Sequence, residues 1–144
     1  MHKGEVIFEV AKSPGEVWKR LVDMERAPDW VDTMKSSTKR TPGPVGVGAI
    51  FDQVLELNGS TNQAELEVTV FEECASFAHA GKSGPAAFTA RFDLEEVPGG
   101  TRVVHGFSVS VGGMMRMMEP VIGGWVNKNA RESVFKLKQL IEAS

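Results

Sequence analysis

The chain has 144 residues, of which 42% are hydrophobic and 24% are charged, and this composition is typical of one globular domain covering residues 1–144. The net charge of −3 argues against nucleic-acid binding, since that function normally requires a basic face. The single cysteine, Cys74, excludes an internal disulfide and a multi-cysteine metal site. No stretch resembles a signal peptide or reaches the ~18 apolar residues of a membrane span, so we expect a cytoplasmic protein.

The first part of the chain predicts a strand followed by two short helices. Residues 3–11 alternate between apolar and acidic side chains, which is typical of a half-buried strand. Residues 13–16 read Ser-Pro-Gly-Glu, a capping box in which the serine side chain accepts a hydrogen bond from the amide three residues later. The helix that begins there is expected to end near residue 23 or 24. A second short helix is predicted over residues 28–34.

The middle of the chain predicts a series of strands joined by tight turns. The strands are expected at residues 49–57, 61–72, 75–81, 88–94 and 101–111. Asn58-Gly59 is the strongest hairpin signal, because a two-residue turn requires positive φ. Successive hairpins form an antiparallel meander, and the separation of strands from helices indicates an α+β fold.

The last thirty residues predict a long amphipathic helix. Its apolar stripe consists of Met115, Met118, Ile122, Val126, Ala130, Val134, Leu137, Leu140 and Ile141. Pro120 cannot donate to a preceding turn and would clash with the carbonyl of Arg116, so we expect the element to divide. A methionine-rich start would run through Glu119, and a firm helix would cover about residues 120–142. We expect a curved sheet to wrap around this helix and leave a cavity beside its first half.

Several short motifs occur in an order that resembles the START-like superfamily, also known as SRPBCC, which includes Bet v 1-like and polyketide cyclase/dehydrase and lipid-transport proteins. The motifs are Ser13–Trp18, Pro28–Trp30, Gly46–Gly48, Pro98–Arg102 and Glu132–Lys138. The resemblance covers essentially the whole chain and implies a helix-grip fold. In that fold an antiparallel sheet curls around the C-terminal helix, and two short helices close one end. It also implies a cavity for an apolar or aromatic small molecule, but it leaves the activity open, because the superfamily contains binders, carriers, cyclases and hydrolases.

No motif in the chain indicates catalysis independently of the fold. The nucleophile elbow, the zinc-protease helix, the P-loop and the dinucleotide fingerprint are all missing from the sequence. The glycine-rich run at residues 43–48 is followed by neither a lysine nor a helix, so a phosphate cradle is not indicated. We therefore predict no metal and no cofactor, and any enzymatic activity would be cofactor-independent.

Five polar side chains are expected to point inward, because they alternate in phase with the apolar residues of a strand or lie within the apolar stripe of the long helix. They are Gln53, His79, His105, Asn129 and Ser133. A buried polar group must find a partner or lie in a hydrated site, so these residues are candidates for ligand contact. Each also has a purely structural interpretation. Both histidines could be core residues with satisfied hydrogen bonds, and Asn129 and Gln53 could each bond to a neighbouring backbone group. Ser133 could bond to its own helix. His105 and Asn129 are the candidates for a catalytic role.

The remaining candidate ligand contacts are apolar or aromatic, as is usual for small-molecule pockets. They are Trp30, Phe51, Leu66, Phe88, Phe92, Phe107, Met118, Ile122, Trp125 and Val126. Trp30 and Trp125 are equally compatible with plain packing. The methionines at positions 114, 115, 117 and 118 are compatible with a flexible pocket mouth, an interface or packing.

Three functions fit these observations. The first is binding or carriage of a small hydrophobic or aromatic molecule in the cavity. The second is a cyclase, aromatase or dehydrase that uses the same cavity with polar assistance from His105, His79 or Asn129. The third is an interaction module whose cavity is filled by side chains. The protein would be a monomer or a homodimer.

Overall fold

A computed structural model of the chain describes residues 1–57 and 59–144. These residues form seven strands: β1 (His2–Val10), β2 (Met34–Lys39), β3 (Ile50–Leu57), β4 (Ser60–Glu72), β5 (Ser76–Ser83), β6 (Ala86–Val97) and β7 (Gly100–Val111). Two α-helices, α1 (Pro14–Val22) and α2 (Glu119–Glu142), are each adjacent in sequence to a 3₁₀ helix, at Met24–Asp29 and Gly113–Met118 respectively.

The strands form one antiparallel sheet in the order β1-β7-β6-β5-β4-β3-β2. β2 to β7 follow the chain as a meander, and β1 pairs with β7 at the far edge. The long C-terminal helix lies against this sheet, which confirms the predicted α+β helix-grip fold. Of the predicted Asn58-Gly59 turn, Asn58 lies outside the described residues, and Gly59 has the positive φ of +79° that such a turn requires.

The prediction of a helix over residues 28–34 is wrong. The second short helix is the 3₁₀ helix Met24–Asp29, which contains Pro28, and the chain then enters β2 at Met34. In its last turn the amides of Trp30 and Val31 both bond to the carbonyl of Ala27. β2 exists because its backbone pairs with β3, and this pairing overrides the weak local preference of a polar segment.

One end of the sheet is closed by α1 and by the C-terminal half of α2. Ser13 caps α1 by accepting from the Glu16 amide at 3.4 Å, as the capping box predicts. The α1 side chain Trp18 packs edge-on against Phe71 and Phe77, with ring centroids 5.3 and 6.1 Å apart. Leu137 of α2 is completely buried in the same cluster. This part of the molecule is a packed core.

The first half of α2 is held mainly by β1. His2 Nε2 and Asn127 Oδ1 are 3.0 Å apart, and the N-terminal ammonium pairs with Glu119. Gly123 allows this approach, because a Cβ atom there would lie 2.6 Å from the imidazole ring of His2. The predicted division of the C-terminal element is confirmed, since Gly113–Met118 forms a separate 3₁₀ helix ahead of α2.

Gly100, at the start of β7, is required by close backbone contact. A Cβ atom at this position would lie 2.0 Å from the carbonyl oxygen of Val10, and a backbone oxygen cannot move aside as a side chain can. Gly106 in the same strand has nothing within 4 Å of the corresponding position. The pair therefore separates steric overlap from the general effect of a glycine substitution.

We predict that Gly100→Ala lowers the free energy of unfolding by about 2 kcal/mol or more, as overpacking does. Gly106→Ala should be neutral or slightly stabilising, because alanine restricts the unfolded chain. Urea denaturation followed by tryptophan fluorescence measures both variants. Equal stabilities of the two variants would contradict the steric explanation.

Candidate functional site

The inner face of the sheet, defined as the face that packs against α1 and α2, has two unlike ends. At one end the inward side chains are fully buried, for example Phe77 and Val103 at 0% exposure. Toward the other end Phe88, Ala90 and Phe107 are only half-buried, although Val109 and Val111 farther along β7 are buried. The inward positions around Ala90 are therefore less tightly covered than those around Phe77 and Val103.

The predicted site residues divide into three groups by exposure. Seven belong to the filled part and are almost completely buried: Trp30, Phe51, Gln53, Leu66, Phe92, His105 and Ser133. Six are half-buried: His79, Phe88, Phe107, Ile122, Val126 and Asn129. Two are exposed, Met118 at 47% and Trp125 at 37%. Only the half-buried group combines inward placement with accessible surface, so the candidate site is centred on it.

Gln53 has a partner that sequence patterning did not identify. Its Nε2 donates to Ser37 Oγ at 3.3 Å, and both residues are buried. The two positions are directly paired between β2 and β3. The missed element was β2 itself, because without that strand Ser37 had no predicted position beside Gln53.

His105 is packed and hydrogen-bonded on the inner face. Its ring stacks on Phe92 with centroids 4.1 Å apart and planes 6° from parallel. Its Nδ1 donates to the carbonyl oxygen of Arg91 at 3.2 Å. Burial lowers the pKa of His105 to about 4, although the bond to the Arg91 carbonyl acts in the opposite direction. The ring is therefore neutral at pH 7.

His79 differs from His105 in its hydrogen bonding. Its ring packs edge-on against Phe77 at 5.7 Å, and its Nδ1 is buried without a hydrogen-bond partner among the described residues. Burial, and secondarily the charge that His105 would carry, lower the pKa of His79 to about 3. A buried unpaired nitrogen costs about 1–3 kcal/mol, and native proteins seldom retain one without a purpose.

Sequence patterning missed two residues that shape this region. His2 and Asn127 bond to each other and hold α2 over β1. The alternation of β1 could have placed His2 inward, since Val6, Phe8 and Val10 continue the same parity. No sequence signal indicated that Asn127 would lie opposite it.

The outer surface carries two shallow grooves that contain none of the predicted site residues. One is lined by charged residues of α1, including Lys19 and Arg20, together with Ile141 at the end of α2. The other lies on the outer face of the sheet around Arg40, which forms ion pairs with both Asp52 and Glu65. Within residues 1–57 and 59–144, no group of three side chains is arranged to hold a metal ion. No described helix is both long enough and apolar enough to cross a bilayer.

An antiparallel sheet that grips a long C-terminal helix is the fold of START-like and Bet v 1-like proteins. The sequence profile of the polyketide cyclase / dehydrase and lipid transport family matches residues 1–142. The chain belongs to that family. No curated protein matches the sequence.

Solved structures agree with this assignment at the level of the fold. A START superfamily protein from Mycobacterium smegmatis superposes with a TM-score of 0.83 at 16% identity, over 99% of both chains. Ara h 8.0201 superposes with a TM-score of 0.78 at 14% identity, over 99% of both chains. The Zhui aromatase/cyclase from Streptomyces sp. R1128 gives 0.79 at 12% identity, over 97% of this chain and 93% of that one. At these identities the likeness establishes the fold alone.

The two inner histidines predict a specific dependence of stability on pH. Their folded pKa values, about 4 for His105 and about 3 for His79, lie below the unfolded value near 6.5. Between these limits the unfolded chain binds more protons, so stability is complete above about pH 6.5 and falls as the pH decreases toward 4. Each histidine should lower the free energy of unfolding by about 1 kcal/mol as the pH falls from 6 to 5.

We predict that His105→Phe, which retains a ring against Phe92, reduces this slope by about half, and that His79→Phe removes a similar share. Urea denaturation at pH 7, 6 and 5 measures the slope for each variant. A wild-type slope in both variants would show that the neutral histidines do not control acid stability.

Proposed function

We propose that this protein binds a small apolar or aromatic molecule between the inner face of the sheet and the first half of α2. The observation that carries the proposal is the group of half-buried apolar side chains on two strands and one helix, with Phe88, Ala90 and Phe107 on β6 and β7 and Ile122 and Val126 in the first half of α2. Phe77 and Val103 on the same face are completely buried. A small ligand would bury the remaining apolar surface at about 25 cal/mol per Å².

Two glycines adapt the sheet to aromatic rings at this end. A Cβ atom at Gly81 would lie 2.6 Å from the ring of Phe88, and one at Gly4 would lie 2.5 Å from the ring of Phe107. In each case the aromatic residue is paired directly with the glycine on the neighbouring strand. The rings therefore lie across the backbone of the adjacent strand, and this supports a site with flat aromatic walls, which favours flat apolar ligands.

The histidine geometry supports binding rather than the cyclase alternative. A general base is most effective when its pKa is near the working pH, whereas the pKa values of His105 and His79 are lowered to about 4 and about 3. His105 also has its Nδ1 bonded to a backbone carbonyl and its ring covered by Phe92. His105 is therefore not arranged to remove a proton, and the lowered pKa of His79 makes it a weak base.

The first test fills the proposed site. Ala90→Phe places a ring between His79 and Phe107, while Ala87→Phe places the same ring on the outer face of the same strand. We expect Ala90→Phe to weaken binding of the uncharged fluorophore N-phenyl-1-naphthylamine at least tenfold, a change of about 1.4 kcal/mol. Ala87→Phe should bind it as the wild type does, and fluorescence titration measures both.

Circular dichroism confirms that both variants are folded before the titration. Equal affinities of Ala90→Phe and the wild type would refute binding at this position. The absence of any saturable binding to the wild type would refute the proposed function itself.

A second candidate is self-association through the 3₁₀ helix that precedes α2. Met114 and Met117 are 94% and 88% exposed, and exposed apolar side chains grouped in this way often mark contact surfaces. The nearby helix residues Val121 and Trp125 add apolar surface, at 65% and 37% exposure. A homodimer would bury these side chains without using the inner face of the sheet.

Sedimentation velocity over a range of concentrations tests this candidate. The wild type should form dimers as its concentration rises, and the double variant Met114→Gln/Met117→Gln should remain monomeric. Phe135→Gln, which changes a single exposed apolar side chain (61% exposure) farther along α2, is the control and should dimerise normally. A wild type that is monomeric throughout rejects the candidate.

A further inference from the structure

His79 lies in the middle of β5, at the boundary between the filled and half-buried ends of the inner face. In the strand pairings it is opposite Val68 on β4 and Ala90 on β6, and both of these side chains are apolar. The next inward position along β5 is Gly81, which has no side chain. The imidazole is therefore flanked by an apolar surface that continues toward Phe88.

The two inner histidines are not equivalent as hydrogen-bonding groups. His105 uses Nδ1 to donate to the Arg91 carbonyl, and its ring is covered by Phe92. His79 has an Nδ1 that is buried and unpaired among the described residues, and its ring meets Phe77 only at the edge. Among the described residues two buried side-chain nitrogens lack a partner, His79 Nδ1 and Trp30 Nε1. Trp30 is almost completely buried, whereas His79 is half-buried and lies beside the half-buried rings, so His79 is the better placed of the two to receive a partner from a ligand.

The inward neighbours of His79 carry no charge. They are Leu66 and Val68 on β4, Ala90 and Phe92 on β6, and His105 and Phe107 on β7. Burial keeps both histidines neutral at pH 7, with lowered pKa values of about 3 and 4. A carboxylate or phosphate placed here would lose its hydration without gaining a cation, and an ammonium would meet no anion.

A neutral imidazole has one ring nitrogen that donates and one that accepts. It can therefore pair with either a hydroxyl or a carbonyl group. We propose that His79 is the specificity-determining residue of the site, an inference that rests on the proposed function. His79 hydrogen-bonds a single uncharged hydroxyl or carbonyl group of an otherwise apolar, ring-containing ligand. The half-buried rings of Phe88 and Phe107 contact the apolar part of the ligand, and His79 fixes its orientation.

Competition against N-phenyl-1-naphthylamine tests this proposal with three ligands of the same shape. They are 2-naphthol, which has a hydroxyl group, 2-methylnaphthalene, which is purely apolar, and 2-naphthoate, which is anionic. The wild type should bind 2-naphthol about tenfold more tightly than 2-methylnaphthalene, and should bind 2-naphthoate at least tenfold more weakly than 2-naphthol. Anion binding as tight as that of the naphthol would overturn the claim of an uncharged ligand.

Two variants identify which histidine is responsible for the preference for 2-naphthol. His79→Phe keeps a ring against Phe77 and should retain the affinity for 2-methylnaphthalene while losing the preference for 2-naphthol. His105→Phe should leave the ratio of the two affinities unchanged, because its Nδ1 is already bonded. A preference for 2-naphthol that persists in His79→Phe overturns the proposal, whereas failure of every probe to bind the wild type overturns the proposed function instead.

A measurement on the wild type makes the test independent of any variant. In ¹⁵N-labelled protein, 2-naphthol should shift the Nδ1 resonance of His79 and leave that of His105 nearly unchanged. 2-Methylnaphthalene should shift neither by a comparable amount. An unchanged Nδ1 resonance of His79 in protein saturated with 2-naphthol contradicts the proposed hydrogen bond.

Discussion

The fold depends on how unevenly α2 is held along its length. Its C-terminal half is fixed by deep packing, with Leu137 and Ile141 in the same cluster as Trp18 of α1. Polar contacts reinforce this end, since Lys138 donates to the Glu9 carbonyl and Glu142 accepts from the Ala11 amide. The first half is held mainly along β1, through His2 and Asn127. Because one end supplies most of the burial, the other end can remain less tightly covered without loss of the fold.

This arrangement relates stability to function through the inner histidines. The ring of His105 stabilises the core by stacking on Phe92, and burial favours the neutral form of this ring. His79 occupies a similar environment but leaves Nδ1 unpaired, so the unliganded fold carries a cost that a phenylalanine would avoid. Such a locally unfavourable residue in an otherwise consistent core is typical of a functional position, where stability is reduced in exchange for recognition.

Strand parity and turn chemistry predicted most of the fold. Alternation located β1 and β3 to β7 to within a few residues, because inward residues such as Phe51, Phe92 and Val103 must be buried. The capping box located α1, and Pro120 correctly separated the methionine-rich segment from α2. β2 was the exception, since Met34–Lys39 is polar and is a strand only because β3 offers it a partner. Edge pairing of this kind leaves no local pattern to detect.

The sequence predicted which polar residues of the candidate site lie on the inner face, but not which of them have hydrogen-bond partners there. Parity placed Gln53, His79 and His105 inward alike, yet each has a different fate that depends on the neighbouring strand. Ser37 satisfies Gln53 across β2, and the Arg91 carbonyl satisfies His105 across β6. His79 is paired with Ala90 and Val68, whose side chains cannot bond to it. Cross-strand register therefore determines which inward polar group is structural and which is available, and register is a property of the assembled sheet rather than of any one strand.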